Sequence, residues 1–138
     1  QFYAHVSAGD LLEHAIVHGH MYGTLRKPVE EAIAKSRSIL MDIDVQGAQQ
    51  VRKAAREMKP GALLYGAYVD IFITVPSLEE LQRRLEKRAE DTPETIELRL
   101  KNAKAEMKGA KEFKYVIVND RLEKAYREFK KVIDGETR

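Results

Sequence analysis

Three short, nearly uninterrupted apolar runs, at residues 38–43, 70–75 and 115–118, alternate with longer segments whose apolar residues recur at helical spacing. A short apolar run with little polar alternation is the mark of a strand covered on both faces, as in a parallel sheet. Between the first two runs, residues 46–58 set Ala48, Val51, Ala55 and Met58 on one helical face. After the third, Leu122, Tyr126, Phe129 and Ile133 repeat the pattern. Strands alternating with helices of this length predict an α/β fold, a parallel sheet joined by right-handed crossovers. The 138 residues hold no repeat, low-complexity tract or linker, so a single domain with its own core is expected.

Local signals complete the frame. Residues 2–8 read as the tail of a helix stopped by Gly9, followed by a short apolar stretch, Leu11–Val17. Turns are predicted at His18-Gly19-His20 and at Gly23-Thr24. Pro28 suits a first helical turn, where its missing N–H is not needed, which predicts a helix over 28–35. Lys59-Pro60-Gly61 ends the 46–58 helix. Ser77 and Glu80 form a capping box that opens a helix to about Arg88. Thr92-Pro93 caps the next helix, with Ile96, Leu100, Ala103 and Met107 on its face, and Asp120 with Glu123 predicts a further capping box.

Composition removes whole classes of function. With 24 basic against 22 acidic residues the net charge is +2, too even for a nucleic-acid binder. There is no cysteine, which excludes disulfide frameworks and thiolate zinc sites and fits a reducing, cytoplasmic compartment. The longest apolar stretch, residues 62–75, is 14 residues long and contains Asp70, too short and too charged to span a bilayer. The first residues show no signal peptide. They also lack an initiator Met and read as mid-helix, so the chain is expected to be part of a longer one.

Three constellations could carry chemistry. Asp42 and Asp44 end an apolar run, and ligands of parallel α/β folds gather at the carboxyl ends of strands. A carboxylate held there suits a magnesium–nucleotide site; equally, Asp44 could simply cap the helix that follows. Arg84 and Arg88 share a helix face, and Arg99 follows across a loop. Guanidinium forks match phosphate oxygens, although spacing alone favours a solvated face paired with Glu80 and Glu86. Last, the stretch EHAIVHGHMYGT gathers a carboxylate (Glu13), a phenol (Tyr22) and a hydroxyl (Thr24) around two glycines. His5, His14, His18 and His20 crowd the same region, but no metal-binding spacing is present and scattered surface histidines account for them.

Taken in order, the strings AGDLLEHAIVHGHMYGT, ILMDIDVQGAQQVR, PSLEELQRRLEKRAEDTPETIELRL and YVIVND resemble the guanylate kinase family over essentially the whole chain. The combination is the specific signal: Glu-to-Tyr-Gly-Thr, Asp-Ile-Asp-x-Gln-Gly, and arginines spaced by 4 and then 11. The resemblance implies a P-loop-kinase-type parallel core, a GMP-binding subdomain and a helical lid. Residues 1–27 would be the remainder of the GMP-binding subdomain, 28–76 with 114–138 the core, and 77–113 the lid. It implies phosphoryl transfer from ATP to GMP with Mg2+, with GMP and ATP as partners, no nucleic acid or membrane, and room for a homo-oligomer.

By the same resemblance Glu13, Thr24 and Asp44 hold guanine, and Tyr22, with Gly23 beside it, contacts the GMP phosphate. Asp42 stands near the magnesium, while Arg84, Arg88 and Arg99 close over ATP and the transferring phosphoryl group, Arg88 as an ATP contact as well. Asn119 lies near adenine. The lid is expected to be helical over 79–107 and open, with arginine heads in solvent facing the Asp42 strand end.

His20-Met21 and the long 59–69 connection depart from the family pattern, and the latter predicts an extra loop or strand extension. No Gly-x-x-Gly-x-Gly-Lys-Ser/Thr string occurs. The P-loop, first strand and basic phosphate-gripping segment are therefore expected ahead of Gln1, and the 138 residues alone are expected to be inactive. Two other functions compete. A catalytically inactive, guanylate-kinase-like interaction module would have no need of the three lid arginines and Asp42. Another nucleoside monophosphate kinase is disfavoured because two carboxylates would repel the N1 and N3 lone pairs of adenine.

Overall fold

The computed structural model describes residues 1–88 and 90–137, which fall into two compact units meeting in sequence between Tyr68 and Val69. In the first, helix α1 (Phe2–Ala8) ends at Gly9, whose left-handed φ of 72° lets its N–H reach back to the last turn. Strands β1 (Leu11–Val17) and β2 (His20–Leu25) form an antiparallel hairpin. The two residues between them, His18 and Gly19, both have positive φ, as a tight hairpin whose twist matches its strands requires.

Helix α2 (Arg26–Ala34) follows directly, and α3 (Val45–Glu57) packs against β1. Leu12, Val29, Val51 and Leu64 form the core of this unit, with Ile33, Met41, Ile43, Met58 and Tyr68 around it. The 59–69 connection is a turn-rich loop rather than a strand extension. It is tied down by Leu64 in the core and by the Tyr68 hydroxyl, which donates to the Ala48 carbonyl at 3.2 Å.

The second unit begins with β3 (Ile71–Thr74), then α4 (Leu78–Arg88), α5 (Pro93–Lys108), a 3-10 turn (Ala110–Glu112), β4 (Tyr115–Val118) and α6 (Leu122–Glu136). Residue 89, within the expected lid, lies outside the described residues. Strands β3 and β4 are parallel and in register from Ile71↔Tyr115 to Thr74↔Val118, so this α/β unit has the parallel pairing that the apolar runs require. The Ser77 hydroxyl accepts from the Glu80 N–H at 3.1 Å, and Thr92 from Thr95 at 3.2 Å; both predicted caps are present. Among the described residues of this unit Leu85, Ile117 and Ala125 are the buried apolar ones, and Phe72 meets Phe113 edge to face at 5.2 Å.

Four sequence expectations change. Residues 23–24 are strand, not turn: Gly23 pairs with His14, and a Cβ on it would press on the Leu11 side chain at 3.0 Å, so the glycine serves close packing. Residues 38–43 form neither helix nor strand and belong to no ladder among the described residues. Met41 and Ile43 pack on the core while Leu40 is 73% exposed, a half-buried alternation rather than a doubly covered strand. The Asp120–Glu123 box does not form, since Arg121 is the N-cap of α6 and gives it no side-chain cap. Helix α6 buries Ala125, while Leu122 and Tyr126 of the expected face are exposed. Among the described residues, no helix is long and apolar enough to cross a membrane.

Candidate functional site

In the first unit three of the sequence candidates, Glu13, Thr24 and Asp44, meet at the N-terminus of α3. The register of β1 against β2 slips between Leu11 and Glu13, a bulge that departs from strict in–out alternation. Both Leu12 and Glu13 are consequently buried, Leu12 in the apolar core and Glu13 at 4% exposure beside the first turn of α3. Thr24, the register partner of Glu13, donates its hydroxyl hydrogen to Glu13 Oε1 at 2.6 Å.

Glu13 Oε2 lies so close to Gly47 that a Cβ there would sit 2.5 Å from it. Among the described residues no cation pairs with Glu13, and a buried carboxylate in that setting is stabilised by dipoles. Here a hydroxyl and the partial positive charge of a helix start supply them. Asp44 is the N-cap of that helix: its Oδ1 accepts from the Gly47 N–H at 2.9 Å, while no described hydrogen bond uses Oδ2. The capping and ligand-binding readings of Asp44 are therefore compatible, one oxygen for each.

Two glutamines of α3 hold β1 from its outer side. Gln50 accepts from the His14 N–H at 2.9 Å and donates to the His14 carbonyl at 2.6 Å, and Gln46 donates to the Ile16 carbonyl at 3.5 Å. The sequence reading quoted these residues within its motif strings but gave them no role, although their i, i+4 spacing in VQGAQQ is visible there. Tyr22 is 56% exposed, Gly23 lies next to it in β2, and Asp42 is exposed on the 38–43 segment. Among the described residues no group of three or more His, Asp or Glu side chains gathers as a metal cage.

In the second unit Arg84 is anchored. Its Nε pairs with Glu80 at 3.1 Å, and its other nitrogens donate to the carbonyls of Asn119 at 2.9 Å and Asp120 at 3.3 Å. The expectation of arginine heads in solvent thus fits Arg88, which is exposed, but not Arg84. Arg99 Nε faces Asp91 Oδ2 at 3.5 Å, and that buried nitrogen has no hydrogen-bond partner among the described residues. Asn119 follows β4 and donates its backbone N–H to the Thr74 carbonyl at 2.8 Å, closing the parallel pair at its carboxyl end.

Comparison with known proteins gives a consistent result. The family model described as guanylate kinase matches residues 1–136. The guanylate kinase of Chelativorans sp. (strain BNC1) is 47% identical over 128 residues, 93% of this chain and 55% of that protein. That of Rhizobium meliloti (strain 1021) is 42% identical over 136 residues, 99% of this chain and 58% of that protein. A crystal structure of guanylate kinase from Anaplasma phagocytophilum superimposes with a TM-score of 0.75 at 34% identity, covering 99% of this chain and 61% of that one. The chain therefore spans a little over half the length of these relatives, and within that span it belongs to the guanylate kinase family.

Proposed function

We propose that the protein containing these residues is a cytoplasmic guanylate kinase, transferring the γ-phosphoryl group of ATP to GMP to give ADP and GDP. A phosphate oxygen of GMP attacks the γ-phosphorus, and the bond to the bridging oxygen of ADP breaks. The observation that carries this reading is buried Glu13, hydrogen-bonded by half-buried Thr24 and set against the first turn of α3 that Asp44 caps.

Guanine presents N1–H and an exocyclic amine as donors and O6 as an acceptor. Glu13 and the Asp44 oxygen left open by capping would take the donors, and the Thr24 hydroxyl would turn to O6. Tyr22, exposed on β2 next to Gly23, would reach the GMP phosphate.

Arg88 and Arg99 are the cations for the transferring phosphoryl group and ATP. Arg84 belongs to the same lid set, while also fixing α4 to the end of β4 near Asn119, the proposed neighbour of adenine. Mg2+ binds nucleotides through their phosphates and one or two carboxylates rather than a full protein cage, and the exposed Asp42 suits that part. When bound with ATP, the ion neutralises charge on the phosphates. The 138 residues carry no glycine-rich phosphate loop, so by themselves they are not expected to transfer phosphate.

Coupled assays of the full-length natural protein with GMP, AMP, UMP and dTMP test the reading. GMP is the expected substrate, and comparable rates on AMP would reject it.

A further inference from the structure

We propose that Gln50 is a positioning residue for base recognition, setting through the backbone of His14 where the Glu13 carboxylate stands. The proposal rests on the guanine-reading role given to Glu13 above. Gln50 grips both backbone polar groups of His14, accepting from its N–H at 2.9 Å and donating to its carbonyl at 2.6 Å. His14 adjoins Glu13 on β1, immediately after the bulge that turns the carboxylate inward.

The pairing has a geometric basis. Four helical residues advance about 6 Å, close to the roughly 6.6 Å covered by two strand residues. Gln46 and Gln50 therefore meet Ile16 and His14 in step, and the helix takes the place of a neighbouring strand along the outer edge of β1. Gly47 lies between the two glutamines, and there the helix backbone comes within touching distance of Glu13 Oε2. One side of the carboxylate is thus held by Thr24 from β2, and its strand is held from the other side by Gln50.

A two-point amide grip fixes both the separation and the slide of β1 against α3. Recognition needs the carboxylate oxygens placed to a few tenths of an ångström, since hydrogen bonds weaken steeply away from their preferred length and angle. Without the grip, β1 can slide along the helix while the apolar contacts of Leu12 with Val29, Val51 and Leu64 keep the unit folded. The fold would survive and the reading of the base would blur.

The test uses the full-length natural protein and two nucleotides, GMP and IMP, which lacks the exocyclic amine. Gln50→Met keeps the volume and removes both hydrogen bonds; Gln50→Glu keeps the acceptor and removes the donor. Both variants are expected to lower the GMP-to-IMP ratio of kcat/KM by about tenfold, with the loss in the GMP KM and the ATP KM unchanged. The same substitution at the exposed neighbour, Gln49→Met, should leave the ratio alone.

A lowered Tm with an unchanged ratio in either variant would reduce Gln50 to a structural residue and overturn the proposal. Gln50→Glu carries the test by itself if Gln50→Met does not fold. Wild-type protein that fails to favour GMP over IMP would reject the reading of the exocyclic amine by the Glu13 and Asp44 carboxylates, on which the proposal rests. That result is distinct from a wild type that discriminates and variants that do so equally well.

Discussion

The Thr24 hydroxyl donates to Glu13 Oε1 across 2.6 Å, while Oε2 of the same carboxylate occupies the space where residue 47 would carry a Cβ. Under the proposed function the hydroxyl would have two uses: it satisfies a buried carboxylate here, and it would turn to the carbonyl oxygen of a bound base. Thr24→Val removes the donor and should cost about 1.5–3 kcal/mol of stability, as expected for a hydrogen bond to a buried charged group. It should also raise the GMP KM roughly tenfold, whereas Thr24→Ser keeps both uses and should stay near wild type. Thermal denaturation with steady-state kinetics on the three proteins checks this.

Gly47 should tolerate no side chain. A methyl group at 2.5 Å from Glu13 Oε2 forces the carboxylate or the helix start to move, and overpacking of this kind costs about 1–3 kcal/mol. Gly47→Ala is also a favourable change for a helix interior, by about 0.5–1 kcal/mol. A net loss of stability with a higher GMP KM would therefore identify the clash, and a net gain in Tm would show that Glu13 moves aside freely.

The arginines proposed for the lid should separate by experiment. Arg99 pairs only loosely with Asp91, so Arg99→Ala should cut kcat by about 10²-fold or more while the GMP KM and Tm stay nearly constant. Arg84 holds two backbone carbonyls after β4, and Arg84→Ala should lower stability as well, by about 1–3 kcal/mol. Equal Tm losses for both variants, or a kcat within about twofold of wild type for Arg99→Ala, would contradict this division.

At the far end of the second unit, Glu136 of α6 accepts from the Tyr115 hydroxyl and pairs with the Lys114 ammonium at 2.7 Å. Lys114 first, then Tyr115, holds the Glu136 carboxyl below its ordinary value, while Lys114 and Tyr115 are themselves raised by Glu136. A depressed carboxyl contributes stability that is present above its unfolded value and is lost as pH falls through the folded one. The raised Lys and Tyr contribute below their unfolded values, and that part is lost as pH rises through their folded ones. Wild type should therefore exceed Glu136→Gln in Tm near neutral pH, with the gap closing in acid below the ordinary carboxylate range and again in strong alkali. A gap independent of pH would contradict the ionic account.

Much of this was legible in the residues. The apolar runs at 71–74 and 115–118 form the parallel pair, and Ser77 and Thr92 cap the helices that follow them. Periodicity failed where a residue type has two uses. Gly23 looks like a turn but lies in a strand for close packing, and the apolar 38–43 run has no strand beside it among the described residues. Asp120 and Glu123 have the capping spacing without the cap. Glu13, Thr24 and Asp44 could be proposed together from their order in the chain, but the Thr24–Glu13 hydrogen bond and the approach of Glu13 to Gly47 could not. The β1 bulge depends on register within the hairpin and the grip of Gln50 on His14 spans 36 residues, neither of which a local pattern encodes.

The most direct measurement is the specificity ratio, kcat/KM for GMP over AMP, of full-length wild-type protein and its Glu13→Gln variant. A site built to bond a base's donors rejects an analogue without them by about 10⁴-fold. Wild type should accordingly favour GMP by at least about 10²-fold, and Glu13→Gln should lose most of that preference while remaining folded. Comparable rates on AMP by the wild type, or an undiminished preference in the variant, would contradict the assignment of Glu13 as the group that reads the base.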